Sequence, residues 1–151
     1  MTQRETRALE LFAQGDNCAQ AVLKSCADLA GLTEHQAGLI AVGFGGGMGR
    51  MRQNCGAYSA AVMLCGALTG EEGDTQDKRA QVYALVQDVY REFVERLGTT
   101  CCAELLHRPA AQESPEPDAR TASYYASRPC AKIVLTACRI VEERLAHPEE
   151  A

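Results

Sequence analysis

The sequence contains no tryptophan, and its 151 residues include only three phenylalanines and five tyrosines. A chain with so few aromatic rings offers no platform on which nucleic-acid bases could stack. Acidic residues outnumber basic ones, and the formal net charge of -5 argues against the clustered positive charge that phosphate binding requires. We therefore expect no nucleic-acid partner.

Long apolar runs are also missing from the sequence. No run approaches the ~18 residues that a helix needs to span a bilayer, and residues 1–7 are too charged for a signal peptide. These absences predict a protein without membrane association. We expect it to be cytoplasmic, where cysteines stay reduced unless they take part in chemistry.

Several familiar site motifs are absent as well. The chain has no CxxC pair, which excludes both the thioredoxin-type motif and ordinary c-type haem attachment. His35, His107 and His147 make no metal-ligand spacing with a cysteine, so a cysteine hydrolase is a weak hypothesis. The glycine-rich residues 43–49 match no nucleotide-binding motif. They predict instead a tight turn that passes close to the site entered by Cys55.

Cysteine is the residue type present in excess, with eight copies. A chain of this length can bury enough apolar surface to fold without disulfides. The sequence around the cysteines is helix-forming and apolar, unlike the loop-rich text of a secreted disulfide scaffold. The cysteines therefore indicate thiol chemistry or metal binding.

Helical patterns run through most of the chain. The clearest lies between Val82 and Leu97, where apolar residues recur every three or four positions before a glycine stop at Gly98. Further helices are predicted up to Gly15, from the Asp16–Asn17 cap to Gly31, from Cys55 to Leu68, and after Pro129. The capping box at residues 33–36 predicts one more helix, whose inward-facing residues would be Ala37, Ile40, Ala41 and Phe44.

Proline breaks this helical pattern around residues 108–123, which predicts an irregular surface loop. No strand-like alternation or internal repeat is visible. The sequence therefore predicts an all-α, single-domain helical bundle of five to seven helices, with one cysteine-rich domain over residues 1–151.

Four cysteines fall in the first turn of four different predicted helices: Cys18, Cys55, Cys102 and Cys130. Unpaired N–H groups and a partial positive charge at a helix start favour a thiolate, whether it is a reactive group or a metal ligand. Arg50 and Arg52 either add to this positive potential or are simply solvated.

The other four cysteines fit different roles. Cys26, Cys65 and Cys138 lie about two turns deeper on apolar faces, where a free cysteine behaves as a small hydrophobic residue. Cys101 stands next to Cys102 and could serve as an accessory ligand or thiol.

Ordered motifs along the chain resemble the redox-active proteins of the C_GCAxxG_C_C family. They are NCAQAV at residues 17–22, GFGGGMGR at residues 43–50, CGA at residues 55–57, CAELL at residues 102–106, and Cys130. The resemblance covers nearly the whole chain and implies a redox or cluster-binding role for Cys18, Cys55, Cys102 and Cys130. The sequence departs from the pattern at Ala60, where glycine is expected, and adds Cys26, Cys65, Cys101 and Cys138.

Three functional hypotheses follow. The first is an iron–sulfur or other metal centre for electron transfer, held by Cys18, Cys55, Cys102 and Cys130. The second is a metal-free thiol–disulfide protein in which two of these cysteines cycle. The third is copper or zinc binding without turnover. The partner would be a redox protein of unknown identity, and both a homo-oligomer and enzymatic activity stay open.

Overall fold

The computed structural model of the chain describes residues 1–146, so His147 lies outside the described residues. Within residues 1–146, six helices of eight or more residues form a bundle, which confirms the predicted all-α fold. They are α1 (Gln3–Ala13), α2 (Cys18–Ser25), α3 (Glu34–Ala41), α5 (Gly56–Thr69), α6 (Gln76–Leu97) and α9 (Cys130–Val141). Three shorter helices are α4 (Gly45–Met48), α7 (Cys102–Leu105) and α8 (Ala122–Ser127). The only strand-like feature in residues 1–146 is an isolated antiparallel bridge between Asn54 and Cys101.

Capping residues define where the helices begin. Reciprocal side-chain and backbone hydrogen bonds form a capping box at the start of three helices, and the one at Thr33 and Gln36 confirms the sequence prediction. The other pairs are Thr2 with Glu5 before α1 and Asn17 with Gln20 before α2. Because Asn17 is the cap, Cys18 becomes the first residue of α2.

Helix α2 lies at the centre of the bundle and packs against α1, α3, α5 and α9. Small residues make this packing close, since Ala57, Ala60 and Ala61 of α5 are completely buried. Ala60, which stands where the family pattern has glycine, is therefore part of the core.

The edge helices are less buried than their apolar periodicity suggests. In α6 only Val89 and Phe93 are buried, and Tyr90 of the same stripe is 47% exposed. The prediction that Ile40 faces inward is wrong, because this side chain is 51% exposed. Helix α3 packs chiefly on α2, and the residues of α3 that are buried are Ala37 and Ala41.

Residues 106–121 connect α7 to α8 without helix or strand. Helix α8 begins at Ala122, within the segment that the sequence predicts to be irregular. No helix in residues 1–146 is long and apolar enough to cross a membrane.

Candidate functional site

Cys18, Cys55, Cys102 and Cys130 line one cavity of about 50 Å³, which we call the thiol cavity. Gly46 also lines the cavity, so the glycine-rich segment passes close to the site that Cys55 enters, as the sequence predicts. The rest of the wall is formed by Phe12, Asn17, Arg52, Gly56, Leu105, Leu106, Tyr124, Arg128 and Ile133. A cavity of this size has room for a few water-sized groups.

Helix starts deliver each of the four thiols, as the sequence predicts. Cys18, Cys102 and Cys130 are the first residues of α2, α7 and α9, and Cys55 is the N-cap of α5. The side chains of Cys18 and Cys130 are half-buried, whereas Cys55 and Cys102 are almost fully buried. Access from solvent is therefore easier at Cys18 and Cys130.

A short backbone ladder holds Cys55 beside Cys102. The N–H of Cys55 donates to the Thr100 carbonyl oxygen at 2.7 Å, and the N–H of Cys102 donates to the Gln53 carbonyl oxygen at 2.6 Å. These bonds flank the Asn54–Cys101 bridge. They fix the start of α5 against the start of α7 although the two segments are far apart in the chain.

Glycines bring backbone segments close to the cysteines. A Cβ atom on Gly47, whose φ is +69°, would lie 2.6 Å from the Cβ of Cys102 and 2.8 Å from the backbone nitrogen of Gln53. Only glycine fits there, because side chains rarely adopt this φ and no space is left for one. The predicted close approach of the glycine-rich segment is thus directed at Cys102.

Cys18 and Cys55 lie side by side in the cavity wall, since the Cys18 sulfur is 2.8 Å from the position of a Cβ atom on Gly56, the residue after Cys55. The hydrogen bond from Cys55, helped by backbone N–H groups of Ala57, Ala19 and Gly56, lowers the pKa of Cys18 from 9.0 to about 6, against the opposing effect of burial. The same hydrogen bond, together with burial, raises the pKa of Cys55. Since Ala57 and Gly56 open helix α5, its N-terminal N–H groups face the Cys18 sulfur and stabilise its thiolate.

Arg52 is buried beside Cys102, with a side chain only 1% exposed. Its Nη1 donates to the Cys102 sulfur at 3.7 Å and its Nε pairs with Glu113, while Nη2 has no hydrogen-bond partner. Of the two interpretations that the sequence leaves open for Arg52, the structure favours a contribution to the positive potential of the site. Burial nevertheless raises the pKa of Cys102, and the arginine only partly offsets that effect.

Cys130 lines the cavity from the start of α9. Burial is the main cause that raises the pKa of Cys130 to about 11, and the negative charge of Cys18 is the second. The guanidinium of Arg128 lies 4.3 Å from the ring centroid of Tyr124, and both residues line the cavity with Cys130. Cys18 is thus the one motif cysteine whose pKa is lowered.

The irregular residues 106–121 are fastened next to the cavity by ion pairs. Glu113 contacts Arg50, Arg52 and Arg108, and Asp118 contacts Arg50 and Arg128. Two of these partners, Arg52 and Arg128, belong to the cavity wall. The loop therefore supplies the counter-charges for the arginines of the site.

The remaining cysteines lie outside the cavity wall. The half-buried Cys101 directs its sulfur to the Arg52 carbonyl oxygen at 3.7 Å, so its vicinal neighbour alone lines the cavity. Cys26, Cys65 and Cys138 are completely buried in the core, as predicted. The sulfurs of Cys26 and Cys138 lie 3.7 Å and 3.8 Å from the Ser25 hydroxyl oxygen, a juxtaposition that no sequence pattern predicts.

The donor set does not form a ready site for a single metal ion. In the part of the chain that the structure describes, no three histidine, cysteine, aspartate or glutamate side chains are grouped so that they could hold one ion. The four motif thiols share a cavity without meeting at one point.

Several polar residues that surround the thiols carry no recognisable signal in the sequence. Arg128 and Glu113 lie in or next to the proline-rich segment, which sequence analysis treats only as a surface loop, and no local pattern distinguishes them. Asn17 was recognisable as a cap, but its side chain also donates to the Val42 carbonyl oxygen at 2.9 Å and so ties α2 to the glycine-rich segment.

Comparison with known proteins agrees with this arrangement. The family model described as "Putative redox-active protein (C_GCAxxG_C_C)" matches residues 16–144, which include all four cysteines of the cavity. No curated protein and no solved structure matched the chain. Because the family model covers most of the sequence and all four cysteines of the site, the chain belongs to the C_GCAxxG_C_C family of redox-active proteins.

Proposed function

We propose that this redox-active protein carries out two-electron thiol–disulfide exchange, with Cys18 as the attacking thiolate and Cys55 as the resolving thiol. The observation that carries the proposal is the juxtaposition of Cys18 and Cys55 at the starts of α2 and α5, where both line one cavity and the Cys18 sulfur lies against Gly56, the residue after Cys55. Exchange needs a thiolate that is accessible and a second thiol within reach of it.

The two cysteines of the pair differ in the way that these roles require. Cys18 is partly exposed and has a lowered pKa, so a substantial fraction is thiolate at neutral pH. Cys55 is buried with a raised pKa and stays protonated until Cys18 has reacted. A thiol with a pKa near the ambient pH is the most effective attacking group.

The exchange consumes one disulfide of a redox partner protein. The Cys18 thiolate attacks one partner sulfur, an S–S bond forms between the two proteins, and the other partner sulfur leaves as a thiolate. Cys55 then loses its proton, attacks the Cys18 sulfur and displaces the second partner thiolate. The partner gains two electrons and, after protonation, two protons, while Cys18 and Cys55 become a disulfide.

The size of the thiol cavity favours a protein or an extended thiol as the reaction partner. About 50 Å³ cannot enclose a bulky substrate, so the partner disulfide must approach the exposed edge of Cys18. The apolar rings of Phe12 and Tyr124 line the same cavity. Arg52 and Arg128 share this wall, and their positive charge favours the thiolate form of Cys18.

A thiolate-held iron–sulfur cluster or other metal is the second candidate function. It is supported by the fact that Cys18, Cys55, Cys102 and Cys130 reach one cavity from separate helices. The buried guanidinium of Arg52 against Cys102 would balance part of the negative charge that four thiolates bring together. These four cysteines are the ligands that we assign to such a centre.

Peptide mapping of the oxidised protein tests the exchange proposal. Trypsin separates Cys18, in residues 8–24, from Cys55, in residues 53–78. We expect mild oxidation of the full chain to join these two peptides. Because residues 53–78 also contain Cys65, the same map of Cys65→Ala must keep the linkage, whereas Cys55→Ala must lose it.

Protein purified without oxygen separates the two candidates. The exchange proposal predicts colourless protein with titratable thiols and a Cys18–Cys55 disulfide after oxidation. Stoichiometric iron and acid-labile sulfide that decrease in each of the Cys18, Cys55, Cys102 and Cys130 single serine variants would replace it by the cluster. Stoichiometric copper or zinc would replace it by metal binding without turnover.

A further inference from the structure

A second pair of thiols lies in the core of the bundle, outside the thiol cavity. Cys26 and Cys138 are both completely buried, and both sulfurs contact the same hydroxyl group. The hydroxyl oxygen of Ser25 lies 3.7 Å from the Cys26 sulfur and 3.8 Å from the Cys138 sulfur. Chain positions far apart are thus brought together around one hydroxyl group.

Cys26 and Cys138 lie on the same two helices as Cys18 and Cys130, at the same spacing along the chain. Cys26 follows Cys18 by eight residues at the end of α2, and Cys138 follows Cys130 by eight residues along α9. Helices α2 and α9 pack against each other, and both begin at the thiol cavity. Eight residues of helix rise ~12 Å, so Cys26 and Cys138 lie about two helical turns from Cys18 and Cys130.

We propose that Cys26 and Cys138 are a second dithiol–disulfide site, whose oxidation joins α2 to α9 and clamps the two helices that carry Cys18 and Cys130. The contact of both sulfurs with the Ser25 hydroxyl group distinguishes them from Cys65. The Cys65 thiol donates only to the Ala61 carbonyl oxygen of its own helix at 3.4 Å, which is what a cysteine that merely fills the core does.

The disulfide forms by exchange with a small disulfide, RSSR. The Cys26 thiolate attacks one sulfur of RSSR, forms a mixed disulfide and releases RS⁻. Cys138 then gives up its proton, attacks the Cys26 sulfur and releases the second RS⁻. The protein loses two electrons and two protons, and RSSR becomes two molecules of RSH.

Surrounding groups favour Cys26 as the attacking sulfur. Hydrogen bonds from Cys138 and Ser25 and the nearby charge of Arg4 lower the pKa of Cys26, while the pKa of Cys138 is raised. Ser25 and Arg4 also line an open cleft along α1. A small disulfide reaches the buried pair from this cleft by displacing the Ser25 side chain.

Mapping of the full chain after incubation with oxidised glutathione tests the proposal. Trypsin places Cys26 alone in residues 25–50 and Cys138 alone in residues 133–139. We expect these two peptides to be joined in the non-reduced digest and separated by a reductant. Cys65→Ala is the matched control because it removes a buried thiol without a thiol partner, and it must keep the linkage.

Thermal unfolding in the Cys18→Ser background isolates the clamp from the site. The proposed Cys18–Cys55 disulfide cannot form there, and oxidation should still raise Tm by roughly 5–10 °C through the closed loop. Adding Cys138→Ala should abolish that rise.

Two outcomes of the mapping would overturn the proposal. In the first, Cys26 and Cys138 remain free thiols in the oxidised protein after it is denatured. In the second, either of them is linked to a different cysteine. Both results are independent of the Cys18–Cys55 exchange, which is read from other peptides. If the alanine variants do not fold, the map of the wild-type chain decides.

Discussion

The sulfur of Cys18 lies 2.8 Å from the position that a Cβ atom on Gly56 would occupy. That position is also 2.7 Å from the Phe44 carbonyl oxygen, so it is closed from two sides. The absence of a side chain at Gly56 is what lets the N–H groups at the start of α5 approach the Cys18 thiolate.

Gly56→Ala should therefore displace Cys18. We expect the free energy of unfolding to fall by ~1–3 kcal/mol from overpacking and the alkylation rate of Cys18 to fall because its thiolate loses N–H partners. The control is Gly66→Ala in the same helix, where a Cβ atom meets nothing within 4 Å. That variant should gain about 0.5–1 kcal/mol from helix propensity. Equal effects of the two substitutions in urea unfolding would contradict this account of Gly56.

The reactivity of Cys18 should depend on pH through its lowered pKa. Because only the thiolate reacts, the rate of alkylation by iodoacetamide should be half-maximal near pH 6 and fall about tenfold per pH unit below that. Cys55→Ala removes the main cause of the shift. Loss of one hydrogen bond to a charged group should move the midpoint upwards by about 1–2 pH units. A midpoint that stays near pH 6 would show that the N–H groups alone hold the thiolate.

Glu113 should hold the irregular loop against the site. Glu113→Gln removes the carboxylate that pairs with the buried Arg52, and we expect a loss of about 1–3 kcal/mol in unfolding free energy. The loop of residues 106–121 should also become more sensitive to limited proteolysis. Glu116→Gln is a suitable control, since Glu116 is exposed and makes no ion pair among the described residues. Equal proteolysis of the two variants would mean that Glu113 does not fasten the loop.

Acid should release the same contact. The hydrogen bond from Arg52 lowers the pKa of Glu113 from 4.5 to about 2. A carboxyl group whose pKa is lower in the folded state stabilises the protein above its unfolded pKa, and this contribution disappears as the pH falls from about 4.5 to 2. The difference in urea midpoint between wild type and Glu113→Gln should therefore shrink between pH 6 and pH 3. A constant difference over that range would rule out the ion pair as its cause.

The helices and the four motif cysteines could be predicted because their signals are local. Asn17, Thr33 and Gly98 mark helix ends within a few residues of themselves, and the helix starts then place Cys18 and Cys130. The depth of burial was not predictable in the same way. Tyr90 and Ile40 continue apolar stripes, yet they are exposed because α6 and α3 lie at the edge of the bundle.

Contacts between distant segments explain what the sequence could not predict. The partners of Arg52 are Cys102 and Glu113, about 50 and 60 positions later in the chain. The juxtaposition of Cys26 and Cys138 at the Ser25 hydroxyl group likewise depends on how α2 and α9 pack. No spacing rule relates such pairs, because the loops between them determine which helix faces meet.

The left-handed backbone around the glycine-rich segment has a consequence for the order of folding. Met48, Arg50 and Arg52 have φ values of 68°, 67° and 57°, although none of them is glycine. Each such residue costs about 1–2 kcal/mol relative to ordinary backbone, so this segment cannot hold its shape alone. We expect it to become ordered only when the Cys102 turn and Glu113 pack against it, after the surrounding helices have formed. Amide hydrogens there should exchange with solvent sooner than those of α5, and the protein can open its thiols to a partner without unfolding its core.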